Sequence, residues 1–226
     1  MAMKRVASGA KTRGAFNSDL AQVWIGIAMI VLTGFGPLVL GNSYWVHTFQ
    51  LVNIYIAVAI FQNFLFVDAG QKSFGQGAIL GLAAYTAAVM YGLHGWSIPA
   101  AGLAGLVASA LGGLLFALPA MRVQGFHLGF VTMSAAIVFP QLLVTLDRYT
   151  NGINGINVTM PSITEPGAFG LSVLQVAVVV VPIAALLLHY WLRRSKLGRA
   201  MFVAALSPEA ARTLGIRPGF MRFLAL

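Results

Sequence analysis

The chain has no cysteine and little negative charge: 226 residues carry five acidic side chains against fourteen basic ones. The lack of cysteine removes disulfide scaffolds, thiolate zinc sites and iron–sulfur clusters together. Charged residues are 8% of the total, where soluble domains carry about 25%. So few charges cannot cover a globular surface in water, which excludes a cytosolic enzyme. No Asp or Glu falls inside the long apolar runs, so a proton relay or ion-coupled carrier lacks its usual carboxylate. His47, His94, His127 and His189 stand far apart, and no His-x-x-x-His spacing occurs. A Gly-x-Ser-Gly pattern for an intramembrane serine nucleophile is also missing. No metal site and no catalytic residue is expected.

What the chain does have is apolar length, with 59% hydrophobic residues and a mean hydropathy of +0.85. Six stretches can each cross ~30 Å of hydrocarbon, which takes about 20 helical residues. They are Leu20–Leu40, Thr48–Val67, Ser73–Leu93, Ile98–Leu118, Gly125–Leu146 and Leu171–Leu192, and none contains a charged residue. They are apolar on every face, without the period-two alternation of a membrane barrel. Helices satisfy their own backbone in lipid, so the expected fold is all-α: a polytopic transmembrane bundle. The expected organisation is a basic leader over 1–19, six spans over 20–192, a basic loop over 193–220, and the start of a seventh span over 221–226.

Thirteen of the fourteen basic residues lie on one side of this arrangement, with Arg148 alone on the other. The positive-inside rule puts the N-terminus and the 193–222 segment in the cytoplasm. The net charge of +9 is thus a topology signal, and no nucleic-acid partner is needed to explain it. Trp24, Trp45, Trp96 and Trp191 mark span ends, where an aromatic belt belongs. The first span carries a weak Val39-Leu40-Gly41 cleavage pattern but is longer than a secretory h-region. It reads as a retained helix with Asn17-Ser18-Asp19 as its cap.

Small residues recur every fourth position in span four, at Ala101, Gly105, Ser109 and Gly113; span three has Gly77, Gly81, Ala84 and Ala88. Such faces let helix backbones approach closely. Asn53, Gln62, Asn63, Gln76, Tyr85, Thr86, Thr132, Ser134 and Gln141 are polar within spans. They suit either a pathway for a neutral or zwitterionic solute or interhelical hydrogen bonds worth ~0.6 kcal/mol each. Pro140 and Pro182 are expected to interrupt spans five and six and free carbonyls near mid-membrane. Outside, Asn151, Gly152, Asn154 and Gly155 read as compact turn chemistry.

Past Arg193 the chain turns amphipathic and basic. Ser195 is placed to cap a helix through Leu206 with Leu197, Met201 and Ala205 on one face. Ser207-Pro208-Glu209 restarts a helix closed by Gly215. Pro208–Leu214 is too short to be stable alone, so it either docks into a partner or belongs to a basic loop held by anionic membrane lipid.

The run Gly198-Arg199-Ala200 … Glu209-Ala210-Ala211-Arg212-Thr213-Leu214-Gly215-Ile216 resembles the Glu-Ala-Ala loop of ABC importer permeases. Ser73-Phe74-Gly75-Gln76-Gly77-Ala78 … Gly81 … Ala84-Tyr85-Thr86-Ala87 is similar to a helix of the branched-chain amino-acid permease family. So is Arg122-Val123-Gln124-Gly125-Phe126-His127-Leu128-Gly129-Phe130-Val131-Thr132, and so is the external Thr150-Asn151-Gly152 … Asn154-Gly155 stretch. The likeness runs from about residue 45 to the end. It departs at His127-Leu128-Gly129 and at Gln76, where the family commonly has Tyr-Phe-Ala character and a histidine.

The resemblance implies a permease subunit in a bacterial inner membrane, importing branched-chain or similar amino acids, with urea or short amides as alternatives. It implies two cytoplasmic ATPase subunits, a paralogous second permease and an external solute-binding protein. Gly198, Arg199, Glu209, Ala210, Ala211, Arg212 and Gly215 would couple to the ATPase, while Gln76, Tyr85, Thr86, Phe126 and Thr132 are candidates for the solute path. No phosphate-binding Gly-rich loop with lysine occurs, so no cofactor is expected here and the energy source is expected on another chain. The family continues with further helices after the coupling loop, so a truncated or partial chain is expected, with a non-transporting membrane scaffold as the competing reading.

Overall fold

The computed structural model describes residues 2–39, 41–120, 126–160, 164–165 and 171–226. Its elements are helical: α1 (Ala2–Val39), α2 (Ser43–Asn63), α3 (Gln76–Gly92), α4 (Ile98–Ala120), α5 (Phe126–Thr145), α6 (Asp147–Thr150), α7 (Val173–Arg194), α8 (Lys196–Leu206), α9 (Pro208–Thr213) and α10 (Pro218–Ala225). A π-helical turn, Phe64–Asp68, extends α2, and a 3-10 turn spans Gly152–Asn154. The expected all-α class is the observed one, with no strand among the described residues.

Five stretches are long and apolar enough to cross a bilayer: Leu20–Val39, Ser43–Asp68, Ile98–Leu115, His127–Thr145 and Val173–Arg194. Only 11 to 22% of each is buried within the chain. A water-soluble protein would not leave such large apolar faces uncovered. This is a multi-pass membrane protein. The four tryptophans are all exposed, as belt residues must be.

Several sequence expectations need correction. Asn17-Ser18-Asp19 does not start a helix, because α1 runs unbroken from Ala2; the Ala-, Lys- and Arg-rich leader has good helix propensity of its own. The span expected from Ser73 begins at Gln76 and is 17 residues long, ~25 Å at 1.5 Å per residue. Ser73–Gly75 stay outside it because their backbone groups are used elsewhere. The Ser73 carbonyl accepts from Gln62 Nε2 at 2.6 Å, and Phe74 N–H donates to Thr132 Oγ1 at 2.9 Å. Pro140 and Pro182 do not break their helices; α5 and α7 continue through them.

The chain divides into two compact units, Met1–Phe61 with Pro161–Leu192 and Gln62–Met160 with Arg193–Leu226. In the first, Gly34 lets α1 approach α7 so closely that an added Cβ would collide with the Val179 side chain. Asn53 is completely buried there, and Thr33 Oγ1 lies 2.9 Å from its side-chain amide. For Asn53, interhelical hydrogen bonding is the observed role.

The second unit is built on α3 against α4, with α5 beside them and α10 returning onto α4. A Cβ on Gly105 would sit 2.6 Å from the Ala83 carbonyl oxygen, and one on Gly112 would sit 2.8 Å from Leu82 Cδ2. The close contacts toward α3 are Gly105 on Ala83 and Ala87 and Gly112 on Leu82; Gly105 belongs to the small-residue stripe expected through Ala101, Ser109 and Gly113, and Gly112 does not. Gly81 instead admits Phe139 of α5.

Candidate functional site

The helix pair α8–α9 forms as capping chemistry dictates. Ser195 has an extended backbone (φ −66°, ψ 163°), and its Oγ accepts from Gly198 N–H at 3.0 Å. Ser207 repeats this one helix later, accepting from Ala210 N–H at 3.3 Å, with Pro208 at the first helical position. Glu209 follows, its carboxylate near the positive helix end. At the other end Gly215 takes φ +76°. Gly215 N–H then donates to Arg212 O at 3.0 Å and Ile216 N–H to Ala211 O at 2.9 Å. That pair of bonds is a Schellman closure, which needs the left-handed residue that glycine supplies. Both ends of a six-residue helix are thus chemically closed.

Burial sorts its side chains. Ala211 is 0% exposed, while Glu209, Ala210, Arg212, Thr213 and Leu214 are exposed. Gly198, Met201 and Ala204 form the buried stripe of α8. Leu197 is exposed, so the expected Leu197–Met201–Ala205 face is rotated by about one position. Arg199 is exposed beside that stripe. An open groove of ≈640 Å³ runs past Arg212, Gly215, Ile216, Arg217, Pro218 and Phe220.

This helix pair is tied to the end of α2. Asp68, at the last position of the π turn, is 2% exposed, and its Oδ1 lies 3.0 Å from Arg193 Nε. Asp68 lies just beyond the apolar run Thr48–Val67, yet the helix continues through it and buries it. Burial of an acid was invisible to a reading by windows, because its partner is 125 residues away. Gly70, at φ +63°, abuts α8, where an added Cβ would lie 2.8 Å from Ala205 Cβ.

Thr132 lies against the foot of α3, its Cβ 3.3 Å from the position of a Cβ on Gly75. Gln76 is half-buried and shares a groove of ≈520 Å³ with Ile79, Ser109, Gly113, Phe223 and Leu224. Tyr85, nine residues along α3, has its hydroxyl 3.9 Å from the position of a Cβ on Gly155. Thr86 is half-buried. Thr132 is fully buried and accepts from Phe74 N–H, while its own hydroxyl lies 2.9 Å from Leu128 O. The Arg122–Gly125 motif and the side chain of Phe126 lie outside the described residues.

At the far end of the unit the 147–160 segment folds on itself. Asn151 takes φ 59°, and its Nδ2 donates to Gly155 O at 3.0 Å. Thr150 Oγ1 bonds Leu143 O at 2.5 Å, and Gly152 packs where a Cβ would lie 2.6 Å from Asp147 Oδ1. Asn154 is exposed, and Tyr91 Oη donates to Thr159 O at 3.4 Å, joining the segment to α3.

Comparison with known proteins agrees with this architecture. Residues 44–226 match the family model described as branched-chain amino acid transport system / permease component. The chain is 31% identical over 158 residues, 68% of its length, to the high-affinity branched-chain amino acid transport system permease protein LivM of Salmonella typhimurium. The matched stretch covers 35% of that relative, so the chain spans about a third of its length. No solved structure matches. With the family model covering residues 44–226, the chain belongs to the branched-chain amino acid transport system permease family.

Proposed function

We propose that this chain is a permease subunit of an ATP-driven importer for branched-chain amino acids in the bacterial inner membrane. Its N-terminus and α8–α9 face the cytoplasm, where thirteen basic residues cluster. In this reading α3 also crosses, giving six spans over 20–192, because 17 residues sit at the lower end of the spanning range. The observation that carries the proposal is α9 itself. A two-turn helix is marginal in water, yet this one is closed at both ends and seated on Ala211, with Glu209, Ala210, Thr213 and Leu214 turned outward. Such a rigid knob beneath a membrane bundle fits a groove on an ATPase subunit. Lys196 and Arg199, both exposed, suit anionic lipid headgroups around it.

The wider assembly is then two ATPase subunits, a paralogous second permease and an external solute-binding protein docking at the 147–160 end. The nucleotide cycle rocks α9, and the bundle opens alternately to either side. Gln76, Tyr85, Thr86, Phe126 and Thr132 remain the path candidates. Glu209→Arg, co-expressed with those partners, is expected to lower the amount of co-purified ATPase subunit by about 10-fold, equivalent to ~1.4 kcal/mol. It also abolishes leucine uptake. Normal co-purification with normal stimulation of hydrolysis would make the coupling assignment wrong.

A further inference from the structure

We propose that Asp68 and Arg193 form a latch joining the α8–α9 segment to α2, and that the π turn Phe64–Asp68 is the yielding element through which α8 moves the bundle. This inference rests on the transport reading above and names the positioning residues it requires. Asp68 is almost wholly withdrawn from water and sits at the end of an otherwise charge-free helix. A carboxylate there is costly unless its geometry with a cation is good. Arg193 supplies the cation, its Nε 3.0 Å from Oδ1 at ion-pair distance but not aligned as a hydrogen bond, from the last turn of α7 and only two residues before the Ser195 cap of α8.

The turn beside this pair is unusual in a way that matters mechanically. Ala69 N–H bonds Phe64 O at 2.9 Å, five residues back, and Gln71 N–H bonds Leu65 O at 2.7 Å, six back. A π turn holds one residue more than an α turn, and such bulges concentrate at functional positions. Reverting to α register passes that extra residue along the chain while keeping the backbone hydrogen-bonded. This makes the turn a two-state element, as transmission between distant sites requires.

Its output is also defined. Past Gly70, held against Ala205, Ser73 is tied to Gln62 and Phe74 to Thr132 of α5. A shift in α8 therefore enters the 68–75 segment at Asp68 and Gly70 and leaves it at the foot of α3 and on α5. Every one of these contacts lies within the second unit.

The test uses the assembled importer in proteoliposomes with radiolabelled leucine. Asp68→Asn and Arg193→Gln are each expected to lower leucine moved per ATP hydrolysed by about 10-fold, within the usual span of coupling free energies. ATP hydrolysis itself stays within about twofold. An unchanged ratio, including transport and hydrolysis falling together as a merely structural pair would cause, overturns the latch. The cysteine-free background permits a second measurement that needs no transport: spin labels at Val67 and Leu206, both well exposed. The expected distance distribution is single and narrow in the parent and broadened or displaced in Asp68→Asn. The same distribution in both overturns the proposal. A parent chain that moves no leucine yet keeps the Asp68-dependent distance sinks the transport reading alone.

Discussion

Leucine at Gly105 is expected to cost the second unit about 2–3 kcal/mol, the upper part of the range for overpacking a filled interface. At this position even a methyl group has nowhere to go. The first added carbon would stand 2.6 Å from the Ala83 carbonyl oxygen and 3.3 Å from Ala87 Cβ. The oxygen belongs to the backbone of α3, so relief requires moving a helix rather than turning a side chain. Three residues away on the same helix, Gly102 has nothing within 4 Å of an added Cβ. Gly102→Leu therefore serves as the internal control. Exposed substitutions stay within about 0.5 kcal/mol, and the gain in helix propensity over glycine works in its favour. Thermal unfolding in detergent separates the two: a clear loss of stability at 105 and little change at 102. Equal effects at both positions would mean that α3 and α4 do not meet through Gly105.

Ala211→Leu is expected to disable coupling while leaving the spans intact. Ala211 is completely buried beneath α9, and three further carbon atoms there must lift the helix from its seat. A six-residue helix has no stability to spare once undocked. The outward residues Glu209, Ala210, Thr213 and Leu214 then lose their fixed arrangement, although none of them has changed. Affinity for the ATPase subunit is expected to fall by about 10-fold or more, ~1.4 kcal/mol. The unfolding temperature of the spans stays near that of the parent. Unaltered affinity would show that the orientation of α9 does not matter to its partner.

These two sites differ in how far they could be read beforehand. The α8–α9 pair was legible because capping is local: a serine, a proline at the next position and a glycine seven residues later specify start and stop without tertiary information. Even there the buried stripe of α8 fell on Gly198, Met201 and Ala204 and not on Leu197, since apolar character cannot distinguish a lipid- or partner-facing leucine from a packed one. The same ambiguity hid Gly112, which packs on Leu82 although the four-residue repeat ran through Gly113. In a chain apolar on every side, rotation about a helix axis is set by its neighbours. Asn17-Ser18-Asp19 misled for the opposite reason, since capping residues sit inside a helix when the residues before them are good helix formers. The π turn left no trace, because one extra residue in a turn has no composition of its own. Asp68 lies one residue past an apolar run and carries no local signal, and only the fold brings it to Arg193. The path candidates came from the family resemblance together with polarity within the spans. Polarity found Thr132, which the structure uses to hold Phe74, and it found Gln76 and Tyr85, which lie at separate positions along α3.

The most direct measurement is site-directed cross-linking from a single cysteine at Leu214, the exposed residue that caps the C-terminal end of α9 in a chain with no native cysteine. In the assembled transporter, a short thiol-reactive cross-linker at this position is expected to capture an ATPase subunit, with a yield that changes between nucleotide-free and ATP-bound states. Capture of no ATPase subunit in either state, with the complex verified as intact, would contradict the claim that α9 is where the motor engages this permease.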